Sequence, residues 1–477
     1  MKKIFKILGV CAGLMSVPTL HAKVVLPEII GDHMVLQQNT DVKLWGTATA
    51  KKVVEITVSW NNQTYKVQSE SDGSWIASIP TPQASYTPHT ILFDDGEQTT
   101  IGNVLIGEVW FCSGQSNMEM PLNGFRNCPI EGANETIATA AQWKGIRMAT
   151  IEKTGHLTPQ QNCKGAWKES NPTNAPWFSA TAFYFAQMLN RVLDVPVGII
   201  NCSWGGSKVE GWLPEEIVTG YPDVDLKKER IKPANGDWNW LTPTIMYNGM
   251  LYPLKNYTIK GFLWYQGESN VGRHATYAER LSTLVAHWRS LWQLGELPFY
   301  LVEIAPHDYG EGIAGALLRE AQFKAAEIIP NSGIISTNDL VEDYESPNIH
   351  PKDKKEVGNR LAYMALNRTY GYRNIDCDGI SFKSMNVEGN AAIISFHGAE
   401  DGFNRMIGME GFEIAGEDHL FYPAKAEIVN HTQIKLTSDS VKAPVAVRYC
   451  FRNFMPGNVA DLRGLPLFPF RTDAWSE

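Results

Sequence analysis

Ile106-Gly107-Glu108-Val109-Trp110-Phe111-Cys112-Ser113-Gly114-Gln115-Ser116-Asn117-Met118-Glu119-Met120-Pro121-Leu122 is an apolar, β-branched and aromatic run that stops at Gly-Gln-Ser-Asn-Met. A run of this kind reads as a strand of a parallel sheet buried on both faces, because a half-exposed strand would alternate apolar and polar residues. Open α/β sheets hold their ligands in the crevice beyond the carboxyl ends of the strands. A serine just past such an end stands in that crevice, which makes Ser116 the candidate nucleophile.

The chain on the carboxyl side of this run alternates strands with amphipathic helices. Ser179 opens a helix whose Ala182, Phe185, Ala186, Leu189 and Leu193 form one apolar stripe, and Val195-Pro196 ends it before the strand Val197–Asn201. A second helix, from about Thr276 to Gln293, precedes the strand Phe299–Ile304, and a third, Ala314–Ile329, precedes Gly333–Ser336. A fourth is expected to begin at Pro351, a residue suited to a first helical turn. This order implies an α/β region with a parallel sheet covered on both faces. Residues 24–100 and the chain beyond Gly371 instead show period-two alternation broken by Gly, Asn and Pro, which indicates β domains on either side. The expected organisation is a leader at 1–22, an N-terminal β-sandwich at 23–102, a catalytic α/β domain at 103–372 and a C-terminal β domain at 373–477.

Composition narrows the function. Lys2, Lys3 and Lys6, the apolar stretch Ile7–Val17 and Leu20-His21-Ala22 match the three regions of a secretory signal peptide, so export to the periplasm or the cell exterior is expected. Beyond it no segment reaches the roughly 20 apolar residues of a membrane span. Loss of residues 1–22 takes the formal charge from −9 to −12, which argues against nucleic acid or an anionic membrane as a partner. Six cysteines remain, of which Cys112 and Cys202 lie in strand-like runs and read as buried thiols; Cys128 with Cys163 and Cys377 with Cys450 are candidate disulfides. No metal-ligand spacing, P-loop or dinucleotide fingerprint occurs, so no metal and no cofactor are expected.

A serine nucleophile needs a base and donors for an oxyanion at neighbouring strand ends. The strand ending at Asn201 runs into Cys202-Ser203-Trp204-Gly205-Gly206-Ser207, whose glycines allow a backbone N–H to approach a ligand. The strand Ile259–Tyr265 ends in Gln266-Gly267-Glu268-Ser269-Asn270, which offers an amide and a carboxylate. The last strand leads through Asn338-Asp339-Leu340 to Asn348-Ile349-His350-Pro351. Pro351 holds the residue before it out of the α region, which sets His350 extended near the sheet's carboxyl edge as the candidate base.

These motifs, Gly114-Gln115-Ser116-Asn117-Met118-Glu119, Asn201–Ser207, Trp264-Tyr265-Gln266-Gly267-Glu268-Ser269-Asn270 and Ile349-His350-Pro351, resemble the sialate O-acetylesterase family of the SGNH hydrolase superfamily. Met34-Val35-Leu36-Gln37, Leu44-Trp45-Gly46, Leu318-Arg319-Glu320-Ala321-Gln322 and Phe470-Arg471-Thr472-Asp473 extend the resemblance over nearly the whole mature chain. It implies a serine esterase that removes O-acetyl groups from sugars, with a three-layer α/β/α catalytic domain flanked by β domains. Ser116 is then the nucleophile and His350 the general base. The Ser116 N–H, a glycine N–H from Gly205 or Gly206, and the Gln266 amide are the implied oxyanion donors, with Gln115, Asn117 and Glu268 in support.

The acid behind the histidine departs from the superfamily pattern, which places an aspartate two or three residues ahead; here those positions hold Asn348 and Pro347. Asp339 is the first candidate, because it ends the preceding strand. Glu268 follows, then Asp343 and Glu345, and a Ser-His dyad with a backbone carbonyl holding the ring is the alternative. The expected partner is an O-acetylated sugar or glycan, either a sialic acid or acetylated xylan. Trp212, Trp238 and Trp240, in the Pro-, Trp- and Gly-rich insertion, are candidates either to stack on a sugar ring or to pack the insertion onto the domain. The reading from another class is a glycan-binding protein that has kept the fold without the activity.

Overall fold

The computed structural model describes residues 23–229, 239–404 and 408–475. The leader at 1–22 and Trp238 therefore lie outside the described residues. Among the described residues no helix is long and apolar enough to cross a membrane.

The quoted stretch as far as Gly114 forms the second half of a long strand, Gln98–Gly114, whose residues from Val104 to Gly114 are all buried. It pairs in parallel with Val197–Ser203 on one side and Gly261–Tyr265 on the other. The full order runs from Ser332–Ile335 through Phe299–Val302, Gly261–Tyr265, the central strand, Val197–Ser203 and Ile146–Thr150 to Trp167–Glu169, which alone along this path is antiparallel to its neighbour.

Alternate residues of the central strand feed two separate cores. Phe111 packs edge-on against Trp288 and Trp292 of the helix His274–Trp292. Trp110 points the other way, against Phe185 of the helix Ala180–Leu193. Full burial of each such side chain contributes about 1.5–3 kcal/mol, so both faces of this strand anchor the molecule. Ser179 caps the Ala180–Leu193 helix through its side chain, as the sequence indicates. The helix expected at Pro351 instead runs over Lys354–Met364, because the carboxylate of Asp353 accepts the Glu356 N–H at 2.9 Å and fixes the start there.

The first half of the central strand belongs to the N-terminal β region. It pairs antiparallel with Ser85–Asp94, and its middle pairs in parallel with Val35–Gln37. The boundary expected at 102 thus falls inside a continuous strand. Beyond the helices, Ser381–Glu388, Ala391–His397, Gln433–Thr437 and Lys425–Asn430 form one antiparallel sheet, and Phe421–Pro423, Phe412–Ala415, Ala446–Tyr449 and Phe470–Arg471 form another. The molecule is thus a mixed α/β protein with a large mixed sheet and further β sheets.

The candidate disulfides do not form, and all six cysteines of the described chain are free. Cys163 is buried in the core that contains Phe111, whereas Cys128 packs against the opposite core; Cys377 belongs to that second core and Cys450 to the C-terminal one. The partners in each expected pair therefore sit in different cores.

Candidate active site

Register brings three strand ends together. Gly114 lies opposite Ser203 on one side and Tyr265 on the other, so the turns after all three strands share one edge of the sheet. Gly114 has φ 134°, and a Cβ there would lie 2.1 Å from the Tyr265 carbonyl oxygen. Only glycine allows the chain to turn this sharply into Gln115 and Ser116. Ser116 then opens a short helix, Ser116–Glu119, and lines a pocket of about 480 Å³ together with His350, Trp204, Gly206, Trp240 and Glu268.

Beneath the serine is a buried polar scaffold. The side-chain carbonyl of Gln115 accepts the Gln266 amide at 3.1 Å, the Gly267 N–H at 3.1 Å and the Ser269 N–H at 3.3 Å. Gln266 also donates to the Ser207 carbonyl at 3.0 Å and to Asn270 at 2.8 Å. Its amide is therefore fully engaged and buried, and Gln266 does not line the pocket. This corrects its expected place in the oxyanion hole: Gln266 locks the turns after three strands to one another.

Gly205 is also engaged. Its N–H donates to Glu119 at 2.5 Å, and the other oxygen of Glu119 accepts Lys153 at 2.8 Å. Among the described residues the N–H groups of Ser116 and Gly206 meet no protein acceptor. Gly206 has φ 77°, and a Cβ there would lie 2.5 Å from the Trp240 indole, so the ring rests directly on this glycine. Trp240 is 49% exposed, whereas Trp212 is fully buried, with its ring N–H donating to Ser207 at 3.0 Å and its ring set perpendicular to that of Trp264. Trp212 is thus a core residue that packs its part of the insertion onto the domain, the second of the two readings, while Trp240 lines the pocket.

Asn117, also buried, donates to Glu268 at 2.5 Å and to the Ile349 carbonyl at 3.0 Å. Among the described residues the second oxygen of Glu268 is buried without a side-chain partner. Desolvation pushes the Glu268 carboxyl above the ordinary range, while the Asn117 bond and the charge of Lys354 pull against that shift.

His350 is fastened through its backbone by Asn348, which accepts the His350 N–H at 3.0 Å and donates to its carbonyl at 2.8 Å. The ring meets Phe125 edge-on at 5.2 Å and the Cys128 sulfur at 3.8 Å from Nδ1. Burial, with the positive charge of Lys354 and nearby His307, pushes its pKa down to about 4. Among the described residues no carboxylate stands within 4.0 Å of a ring nitrogen. Asp339, the expected acid, is instead held by both arms of the Arg360 guanidinium at 2.7 and 2.6 Å. A bidentate guanidinium satisfies a carboxylate more completely than an imidazole would, which is why Asp339 faces the following helix rather than His350.

Sequence reasoning did not find Phe125, Cys128, Lys153 or Trp204 as pocket or histidine contacts. Glu119 carried a readable signal, three residues after Ser116 on one helical turn. Among the described residues no group of three or more His, Cys, Asp or Glu side chains is arranged to hold a metal ion.

A family model for carbohydrate esterases described as sialic acid-specific acetylesterases matches residues 106–367. The chain is 27% identical to the sialate O-acetylesterase of Rattus norvegicus over 411 residues, covering 73% of this chain and 74% of that protein. It is 25% identical to the human sialate O-acetylesterase, covering 88% of this chain and 86% of that one. Among solved structures, a carbohydrate acetylesterase from Xanthomonas citri superposes with a TM-score of 0.83 at 30% identity, covering 95% of this chain and 100% of that one. The site at the ends of three parallel strands and the match across its motifs agree, and the chain belongs to the sialic acid-specific acetylesterase family of carbohydrate esterases, as a carboxylic ester hydrolase.

Proposed function

We propose that this protein is an exported serine esterase that removes acetyl groups from O-acetylated sialic acids, with an SGNH-type three-layer α/β/α catalytic domain between two β domains. The observation that carries the reading is that Ser116 and His350, 234 positions apart, line one pocket at the carboxyl edge of the parallel sheet. The opposed packing of Phe111 and Trp110 on helices of the two faces supports the layered domain.

In this mechanism neutral His350 takes the proton from the Ser116 hydroxyl as its oxygen attacks the acetyl carbonyl. The carbonyl π pair moves to oxygen, and the resulting oxyanion is held by the N–H groups of Ser116 and Gly206. One such donor typically contributes on the order of 3 kcal/mol in the transition state. Collapse breaks the bond to the sugar oxygen, which leaves with the proton from His350. Water, deprotonated by the same imidazole, then attacks the acetyl-serine, and acetate is released with Ser116 restored. Ser116 and His350 are not hydrogen-bonded to each other in the free protein, and such bonds commonly tighten only when substrate binds.

Covalent labelling of Ser116 by a serine-directed phosphonate, with loss of acetate release in Ser116→Ala, tests the nucleophile. A panel of O-acetylated sialosides and acetylated xylan oligosaccharides tests the sugar. Equal or faster release from xylan would overturn the assignment to sialic acids.

A further inference from the structure

The ring of His350 is oriented without a carboxylate, and the group at its Nδ1 is a thiol. Cys128 Sγ lies 3.8 Å from Nδ1 and donates to the Asn348 side-chain oxygen at 3.3 Å. Asn348 is the same residue that holds both backbone polar groups of His350. Cys128 and Phe125 touch the ring, Lys354 and His307 act on it through their charge, and the carboxylates Glu119 and Glu268 and the Lys153 ammonium line the same pocket. Burial holds the Lys354 pKa down to about 8, and Glu268, Glu345, Asp353 and Cys128 act against that shift.

We propose that Cys128 is the positioning residue of the catalytic histidine, with its sulfur accepting the Nδ1–H while its S–H donates to Asn348. This chain of donors fixes the Nδ1–H tautomer, leaves Nε2 with its lone pair for the Ser116 proton, and uses Asn348 as the terminal acceptor. A thiol can do this because sulfur both accepts and donates weakly at longer range than oxygen. It orients the ring without the ion pair that an aspartate would form with the charged imidazole. Cys128 is half-buried, whereas the other five cysteines of the described chain are buried, so its environment differs from theirs.

The inference rests on His350 being the base, and the variants separate the two ideas. Acetate release and the pH dependence of kcat/KM are measured on 4-nitrophenyl acetate for the wild type, His350→Ala, Cys128→Ala, Cys128→Ser and Cys128→Asp, with circular dichroism to confirm folding. Retained activity in His350→Ala removes the base and the inference with it. With His350→Ala inactive, Cys128→Ala is expected to lose at least about tenfold in kcat with KM little changed, and Cys128→Ser to recover part of the loss. Cys128→Asp is expected to move the acidic limb upward by at least about one pH unit, because a carboxylate beside an imidazole favours its charged form. Cys128→Ala within twofold of wild type overturns the proposal, as does a loss in Cys128→Ala with an unmoved limb in Cys128→Asp, which would assign Cys128 to packing. If Cys128→Ala does not fold, methylthiolation of folded wild type at Cys128, located by mass spectrometry, replaces it. Undiminished kcat after full modification overturns the proposal.

Discussion

Asn117, the residue after Ser116, donates to the carbonyl of Ile349, the residue before His350, at 3.0 Å. One buried amide thus ties the Ser116 helix to the His350 loop and, through its second bond to Glu268, to the turn after the Gly261–Tyr265 strand. Three chain segments that arrive from different strands are held in register by a single side chain.

Asn117→Ala removes both bonds and deprives Glu268 of its side-chain donor, when its other oxygen already lacks one. Leaving a buried polar group unsatisfied costs about 1–3 kcal/mol, and misplacement of reacting groups by about 1 Å costs on the order of 10²-fold. The expected outcome is a lower melting temperature together with a kcat reduced by about 10²-fold at nearly constant KM. Steady-state kinetics below the melting transition check it; unchanged kcat would release Asn117 from any role in aligning Ser116 and His350.

Asp339 and Arg360 form a pair whose guanidinium is almost fully buried. Arg360 keeps the Glu356 carboxylate 3.4 Å from Nε, so removing Asp339 leaves its charge partly compensated and costs less than the about 3–5 kcal/mol of an isolated buried pair. Asp339→Asn is therefore expected to lower stability in urea while the folded fraction retains kcat within about threefold, a far smaller change than the roughly 10⁴ seen when a triad aspartate becomes an amide. A loss of kcat near that size in folded protein would return Asp339 to the active site.

The contrast between these residues explains what sequence could show. Ser116 was legible because its strand is a continuous apolar run that ends at Gly114, so its place at the sheet edge follows from local chemistry. His350 was legible from Pro351. Asp339 was misplaced because its position after a strand says nothing about which cation claims it, and Arg360, 21 residues further on, does. Cys128 lies in a loop without periodic pattern, and its contact with His350 spans 222 positions, which no local signal encodes. Trp212 and Trp240 look alike in a Pro- and Gly-rich insertion, and only packing separates the ring buried on Trp264 from the one resting open on Gly206.

That separation is testable. Trp212→Ala empties a fully buried site and is expected to cost about 3–5 kcal/mol of stability. Trp240→Ala is expected to leave stability within about 1 kcal/mol, since the ring is half exposed. Its effect is expected in binding instead: loss of an aromatic face worth about 0.5–1.5 kcal/mol raises KM by up to about tenfold for an O-acetylated sugar and not for 4-nitrophenyl acetate. An equal rise for both substrates would show that Trp240 shapes the acetyl pocket rather than contacting the sugar.

The pH dependence follows from His350. Its pKa is held down to about 4, so the imidazole stays neutral well below the ordinary histidine range of about 6.5. The expected kcat/KM on a chromogenic acetate is flat from about neutral pH down to about pH 5, with its half-point near 4. A half-point near 6.5 would mean that the ring is solvated or paired with a carboxylate in the working enzyme. Stability is the poorer probe, and the signs show why. Between about 6.5 and about 4 the unfolded chain protonates this histidine and the native state does not, so its contribution to stability is lost as pH falls through that window. Buried Glu303, pushed up to about 7, acts in the opposite direction. Its native carboxyl takes a proton before the unfolded one does, so its contribution grows as pH falls from about 7 toward the ordinary carboxylate range and is lost as pH rises again. The two oppose each other over most of the same interval, and Glu303→Gln is expected to steepen the loss of stability on acidification while leaving the kinetic half-point near 4.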